Sequence, residues 1–141
     1  MVNELPPPLP LAMVICDAIW QDPSTGKATL LGLFSEIGAR AFPTMHPMLA
    51  VHIALTDGQG TMSIKLQLVD VDEELEPLFV VEGQFDFPDP RAIINMNVQM
   101  RSISFPTAGE YRLQLFARGE FLLERRLIVR QVGGSRGKRA D

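Results

Sequence analysis

This chain predicts an all-β fold, an antiparallel β-sandwich of about eight strands or else a distorted β-barrel. Short runs alternate apolar and polar residues, the clearest being Met62-Ser63-Ile64-Lys65-Leu66-Gln67-Leu68, and a period of two marks a strand with one buried face. Clusters of Gly, Pro, Asp and Ser separate these runs at the spacing of a sandwich. No segment sustains helical periodicity over the roughly eleven residues that would argue for a helix. The 141 residues, 46% of them apolar, suit one domain that fills its core without disulfides or metals.

The elements follow in order. Pro6, Pro7, Pro8 and Pro10 favour polyproline II geometry and oppose a regular ladder, so residues 1–11 read as a proline-rich arm. A first strand covers about Ala12 to Trp20, and Asp22-Pro23-Ser24-Thr25-Gly26 turns the chain into a second, Lys27 to Ile37. After a connection from Ala39 to Pro47, a third strand points Leu49, Val51, Ile53 and Leu55 to one side, with Ala50, His52 and Ala54 opposite. Asp57-Gly58-Gln59-Gly60 leads to the fourth strand around Met62 to Leu68. The fifth spans Leu78 to Phe87. The sixth sets Ile94, Met96, Val98 and Met100 against Asn95, Asn97, Gln99 and Arg101; Ile103 and Phe105 then take the other parity, which predicts a bulge or strand end near Ser102. The seventh carries Tyr111, Leu113, Leu115 and Ala117 inward. The eighth, Glu120 to Val132, needs a bulge because Leu122 and Leu123 are both apolar and Arg125 and Arg126 both charged. The domain is thus expected over 12–132, followed by a flexible basic tail, 133–141.

With Leu31-Gly32-Leu33-Phe34, Phe42-Pro43, Phe105-Pro106 ahead of Gly109-Glu110-Tyr111-Arg112-Leu113, and Cys16-Asp17, the chain resembles a bacterial family of single-domain β-sandwich proteins of unknown function over most of residues 12–132. The resemblance implies an immunoglobulin-like sandwich, no activity and no catalytic residues to carry over. The spacing Pro106, Gly109, Tyr111 also resembles the entry to the penultimate strand of immunoglobulin-like domains. It implies a structural Tyr111, with its ring in the core and its hydroxyl bonded to nearby backbone. A single cysteine, Cys16, rules out an intradomain disulfide, and its apolar setting makes it a buried, inert thiol.

Chemistry-bearing residues are few. Asp70, Asp72, Glu73, Glu74 and Glu76 form an acidic loop whose oxygens suit Ca²⁺, supplemented by Asp22, Asp57 or Asp89 if these share its end of the molecule. The spacing is not that of an EF-hand, which places Gly where Leu75 stands. A zinc site would have to gather His46, His52 and Cys16, the only histidines and cysteine, yet parity puts His52 on a polar face. Gly26-Lys27 lacks the Gly and Ser or Thr that a phosphate loop requires at Gln21 and Ala28. Neither Ser35 nor Cys16 stands on the strained turn of a nucleophile. Asp17 shares parity with Met13, Ile15 and Ile19, so burial there would require pairing, by Arg40 or Arg101, in a structural role.

The expectation is therefore a protein that is not an enzyme and needs no cofactor, an interaction or assembly module binding a protein partner or its own copy. Outward Val80, Ile93 and Phe116 are its candidate contacts. The alternative is a calcium or small-ligand protein built on the acidic loop. Net charge is −4, with a basic end from Arg130 to Asp141 on an acidic body, which disfavours nucleic acid. No segment reads as an export signal or membrane span, and a cytoplasmic setting is expected. Read as a solvated hairpin tip, the acidic loop is expected to give no heat when calcium is titrated to millimolar levels by calorimetry; a saturable isotherm would establish the metal reading.

Overall fold

The computed structural model describes residues 6–72 and 75–133. Nine strands and no helix make up these residues: β1 Leu9–Gln21, β2 Ala28–Leu33, β3 Glu36–Ala39, β4 Thr44–Thr56, β5 Gly60–Asp70, β6 Phe79–Phe87, β7 Ile94–Phe105, β8 Gly109–Ala117 and β9 Glu120–Gln131. They form two sheets, ordered β2-β1-β4-β7 and β3-β9-β8-β5-β6. One of them curls into a half-barrel, so the barrel alternative is met in part.

The expected second strand is in fact two, and not every pairing is antiparallel. Gly32 adopts φ +73°, and directly after Leu33 the chain changes sheets. Phe34 N–H still donates to Ile15 O at 3.2 Å, whereas Ser35 O already accepts from Ile128 N–H at 3.0 Å. Because the chain crosses without reversing, β3 meets β9 in parallel, from Glu36 opposite Ile128 to Ala39 opposite Gln131. β1 begins at Leu9, inside the expected arm. Pro10 disturbs its ladder with β4, and the register slips between Pro10 and Ala12, as a residue without an N–H requires.

Elsewhere alternation decides the core. Leu49, Val51, Ile53 and Leu55 of β4 and Met62, Ile64, Leu66 and Leu68 of β5 are buried against Leu113, Leu115, Leu127 and Val129, as a two-sided sheet packing demands. The parity change in β7 occurs without a slip or a strand end. The pairs His46 with Ile103 and Met48 with Arg101 leave Ser102 facing Pro47, and Ser102 takes φ +58°, which turns Ile103 and Phe105 inward. In the last hairpin Leu115 pairs with Leu123 but Phe116 with Phe121. Leu122 is the extra residue of a bulge.

That bulge leaves Arg125 opposite buried Leu113, with inward parity. Its Nε crosses the seam between the sheets to donate to Met13 O at 3.0 Å. A charged side chain thus closes one open side by satisfying a strand carbonyl. Tyr111 is 1% exposed. Its ring meets Phe105 edge-on at 5.0 Å, and its hydroxyl donates to Thr107 O at 2.7 Å. Both oxygens of Glu36 accept from Arg130, at 3.0 and 3.1 Å, fastening β3 to β9.

Two outcomes are expected from this packing. Tyr111→Phe removes one hydrogen bond from an otherwise unchanged ring, and urea unfolding should show a loss of about 1 kcal/mol at unchanged m. Hydrogen bonding and charge from Arg130 hold the Glu36 carboxyl below its ordinary range. A folded-state pKa below the unfolded value stabilises above the unfolded pKa, and that contribution is lost as pH falls through the folded one. Glu36→Gln should therefore be less stable than the parent at neutral pH, with the difference closing below about pH 4 in paired melts.

Candidate binding site at the β1–β2 hairpin

β1 pairs with β4 only as far as Cys16 opposite Ala50, and from Cys16 onward it pairs with β2. The chain bends there, with Cys16 Sγ donating to Ala18 O at 3.4 Å. Asp17 stands across from Gly32, where a Cβ would run into its carboxylate. Only glycine meets both that contact and the left-handed backbone. Beyond the bend the hairpin folds back over the outer face of the β2-β1-β4-β7 sheet. Ile19 N–H reaches Gln99 Oε1 at 3.5 Å, and the hairpin tip lies against His52, Asn95 and Asn97. Cys16 and Ala50 are consequently fully buried on a face that a plain sheet would leave open. Burial pushes the Cys16 thiol above its ordinary pKa, so little thiolate is present at neutral pH.

Opposed residues of an antiparallel pair share a face. Ile19 with Leu30 and Gln21 with Ala28 belong to one side, Ala18 with Leu31 and Trp20 with Thr29 to the other. Ile19 and Leu30 are half-buried, whereas Trp20, Leu31 and Leu33 are 53%, 49% and 65% exposed. The hairpin therefore shows an apolar stripe to solvent and covers a polar cleft beneath.

That cleft has a volume of about 560 Å³. Gln21, Thr25, Lys27 and Ala28 of the hairpin wall it, and His52, Asn95 and Asn97 form its floor. The wall is fixed by the turn: Asp22 Oδ1 accepts from Ser24 N–H at 2.9 Å and from its hydroxyl at 3.0 Å, which holds the Asp22 carboxyl below its ordinary range. Gln21 Nε2 donates to Gly26 O at 2.9 Å, and Thr25 Oγ1 accepts from Lys27 N–H at 3.2 Å. On the floor, His52 Nδ1 and Asn97 Oδ1 are 2.8 Å apart. The amide oxygen accepts, which puts the proton on Nδ1 and leaves the Asn97 NH₂ to donate elsewhere.

The residues singled out from sequence are scattered. Asp70 closes β5 and accepts from Leu75 N–H at 3.3 Å, Asp72 and Glu76 are exposed, and Glu73 and Glu74 lie outside the described residues. Asp57, whose N–H donates to Pro90 O, and neighbouring Asp89 sit beyond the far end of β5, about 35 Å from Asp70 at strand rise. Among the described residues no three His, Cys, Asp or Glu side chains gather to hold a metal ion. His46 lies tilted against Phe34, with ring centroids 5.5 Å apart, six residues along β4 from His52. Asp17 is exposed instead of sharing the buried side with Met13 and Ile15, because the bend follows Cys16. Val80 and Ile93 are exposed but belong to different regions, one on β6 and one in the loop before β7. Phe116 is half-covered, with Lys65 Nζ 4.8 Å over its ring and Phe121 edge-on at 5.9 Å. Sequence reasoning missed Trp20, Leu31 and Leu33 as a surface, and Lys27 with Asn95 and Asn97 as a cleft. The polar face of β7 was visible; the hairpin that folds onto it was not.

Among known protein families, residues 11–130 match the model of a family of unknown function (DUF6941). No curated protein matches the chain.

The bend gives a direct test. Gly32→Ala should destabilise the protein by about 1–3 kcal/mol in thermal melts, the usual cost of a side chain in left-handed backbone. Because the hairpin covers Cys16, the same variant should react faster with an aromatic disulfide reagent than the parent does.

Proposed function

The chain belongs to the DUF6941 family, and we propose that it is a non-catalytic assembly module of immunoglobulin-like architecture, one copy pairing with another along the β2 edge. The observation that carries this is the nature of that edge. β2 ends its sheet and reads Ala28-Thr29-Leu30-Leu31-Gly32-Leu33, with neither charge nor proline. Natural edge strands are ordinarily blunted by such residues, and the other edges here have them: Glu36 on β3, Glu82 and Asp86 on β6, Arg101 on β7. An antiparallel β2–β2 contact is self-complementary about a two-fold axis, and it would draw Trp20, Leu31 and Leu33 from water.

Immunoglobulin-like architecture is supported by the connections. β5–β6 and β8–β9 are paired neighbours, while the chain changes sheets between β4 and β5, β6 and β7, and β7 and β8. The Tyr111 hydroxyl bond to Thr107 O has the form of a tyrosine corner. A non-catalytic role is supported by what perturbs ionisation: Glu36 and Glu110 are held low by Arg130 and Arg112 in surface ion pairs, Asp22 by bonds within its own turn, and Cys16 is raised by burial, each a structural cause. A bacterial cytoplasm belongs to the same proposal and suits the unpaired thiol of Cys16.

Sedimentation velocity over a range of concentrations tests the reading. The parent should pass from monomer to dimer, and Leu31→Lys should stay monomeric with its melting temperature kept, since Leu31 is half-exposed. A parent that is monomeric throughout, or a dimer that survives Leu31→Lys, overturns the proposal.

A further inference from the structure

The polar cleft beneath the hairpin faces away from the β2 edge and asks for a different occupant. We propose that it binds a small organic acid, gripped by its carboxylate. Of the residues lining it, Lys27 carries the only full charge and none is acidic, in a chain with 17 acidic and 13 basic residues. Asp22, next along the hairpin, has its carboxylate turned into the turn itself, where Oδ1 accepts from Ser24 and Thr25 also bonds to it.

Hydrogen-bond capacity points the same way. The Asn97 oxygen is taken by His52, so its NH₂ is what remains to offer. Thr25 adds nothing to this, because its oxygen accepts from Lys27 N–H and its hydroxyl is bonded to the Asp22 carboxylate. Lys27 adds three ammonium donors, Asn95 a further amide and Gln21 its second amide hydrogen. Against these stand as acceptors only the Asn95 and Gln21 side-chain oxygens and His52 Nε2; donor hydrogens outnumber them around one positive charge, and a carboxylate, which only accepts, is the complementary group. A single cation among neutral amides matches a monoanion better than a phosphate dianion. The cleft falls within the range of about 300–1,000 Å³ usual for small-molecule sites, so it has room for the body of the acid as well as its head.

Amide-resolved NMR titration with butyrate, its neutral isostere butyramide, and inorganic phosphate tests this on the intact chain. Butyrate should give saturable shifts confined to Lys27, His52, Asn95 and Asn97, including the side-chain amides. Butyramide should bind at least about fivefold more weakly, and Lys27→Met should weaken butyrate by a similar factor, the scale of one exposed charge contact. The rest of the Lys27→Met spectrum reports whether that variant is folded, and Asn97→Asp, which puts a carboxylate on the floor, should weaken butyrate independently. Shifts that never saturate, an equal response to butyramide, or unchanged affinity in both folded variants overturns the proposal. Phosphate binding tighter than butyrate overturns the assignment of a carboxylate.

Discussion

The bend of the chain at Cys16, Asp17 and Gly32 is the constraint on which the rest of this molecule depends. Gly32 combines left-handed backbone with an approach to Asp17 too close for any side chain. Three consequences follow from that one contact. The hairpin can lie across the sheet instead of extending it; Cys16 and Ala50 are sealed; and the chain leaves β2 in position to cross to β9 within two residues. A straight continuation of β1 alongside β4 would meet Pro47, which has no N–H for a ladder. Leaving β4 at Ala50 therefore forfeits few hydrogen bonds, and the hairpin recovers them internally.

Much of the architecture was legible because alternation is a local signal. β4 and β5 follow the parity of Leu49 to Leu55 and Met62 to Leu68, and the doubled Leu122-Leu123 announced an extra residue in the last hairpin. The signal fails where the chain bends out of a sheet plane. Asp17 keeps the parity of Met13 and Ile15 in sequence, yet the direction called inward changes between them, so its charge stays in water. The second strand looked continuous because no Pro, Gly or Asp breaks the chain between Leu33 and Ile37; which sheet each half joins is decided by Ile15 and Ile128, residues far away in sequence. The cleft is harder still. Asn95, Asn97 and His52 read as an ordinary polar face, and Lys27 as a turn residue, until a hairpin with a glycine bend brings them together.

Charge is distributed in accord with these two surfaces. On the outer face of the five-stranded sheet, Arg112 is held by Glu110 and Glu124, and Arg126 shares Glu110. Gln67, Gln114 and Glu124 continue the same ladder. Partly exposed pairs of this kind contribute little individually, but they leave that face neutralised and occupied with itself. The hairpin has the opposite character, uncharged along its open edge and donor-rich beneath.

The chain has one tryptophan and one tyrosine, and the fold assigns them to separate territories. Trp20 rides on the solvent side of the hairpin, while Tyr111 is locked in the core against Phe105. The protein thus has two intrinsic chromophores in separate territories, and indole emission, excited at the red edge of its band where the phenol does not absorb, follows the hairpin and whatever settles on it. Local opening of the hairpin is therefore visible in the unlabelled molecule without a contribution from the packed interior.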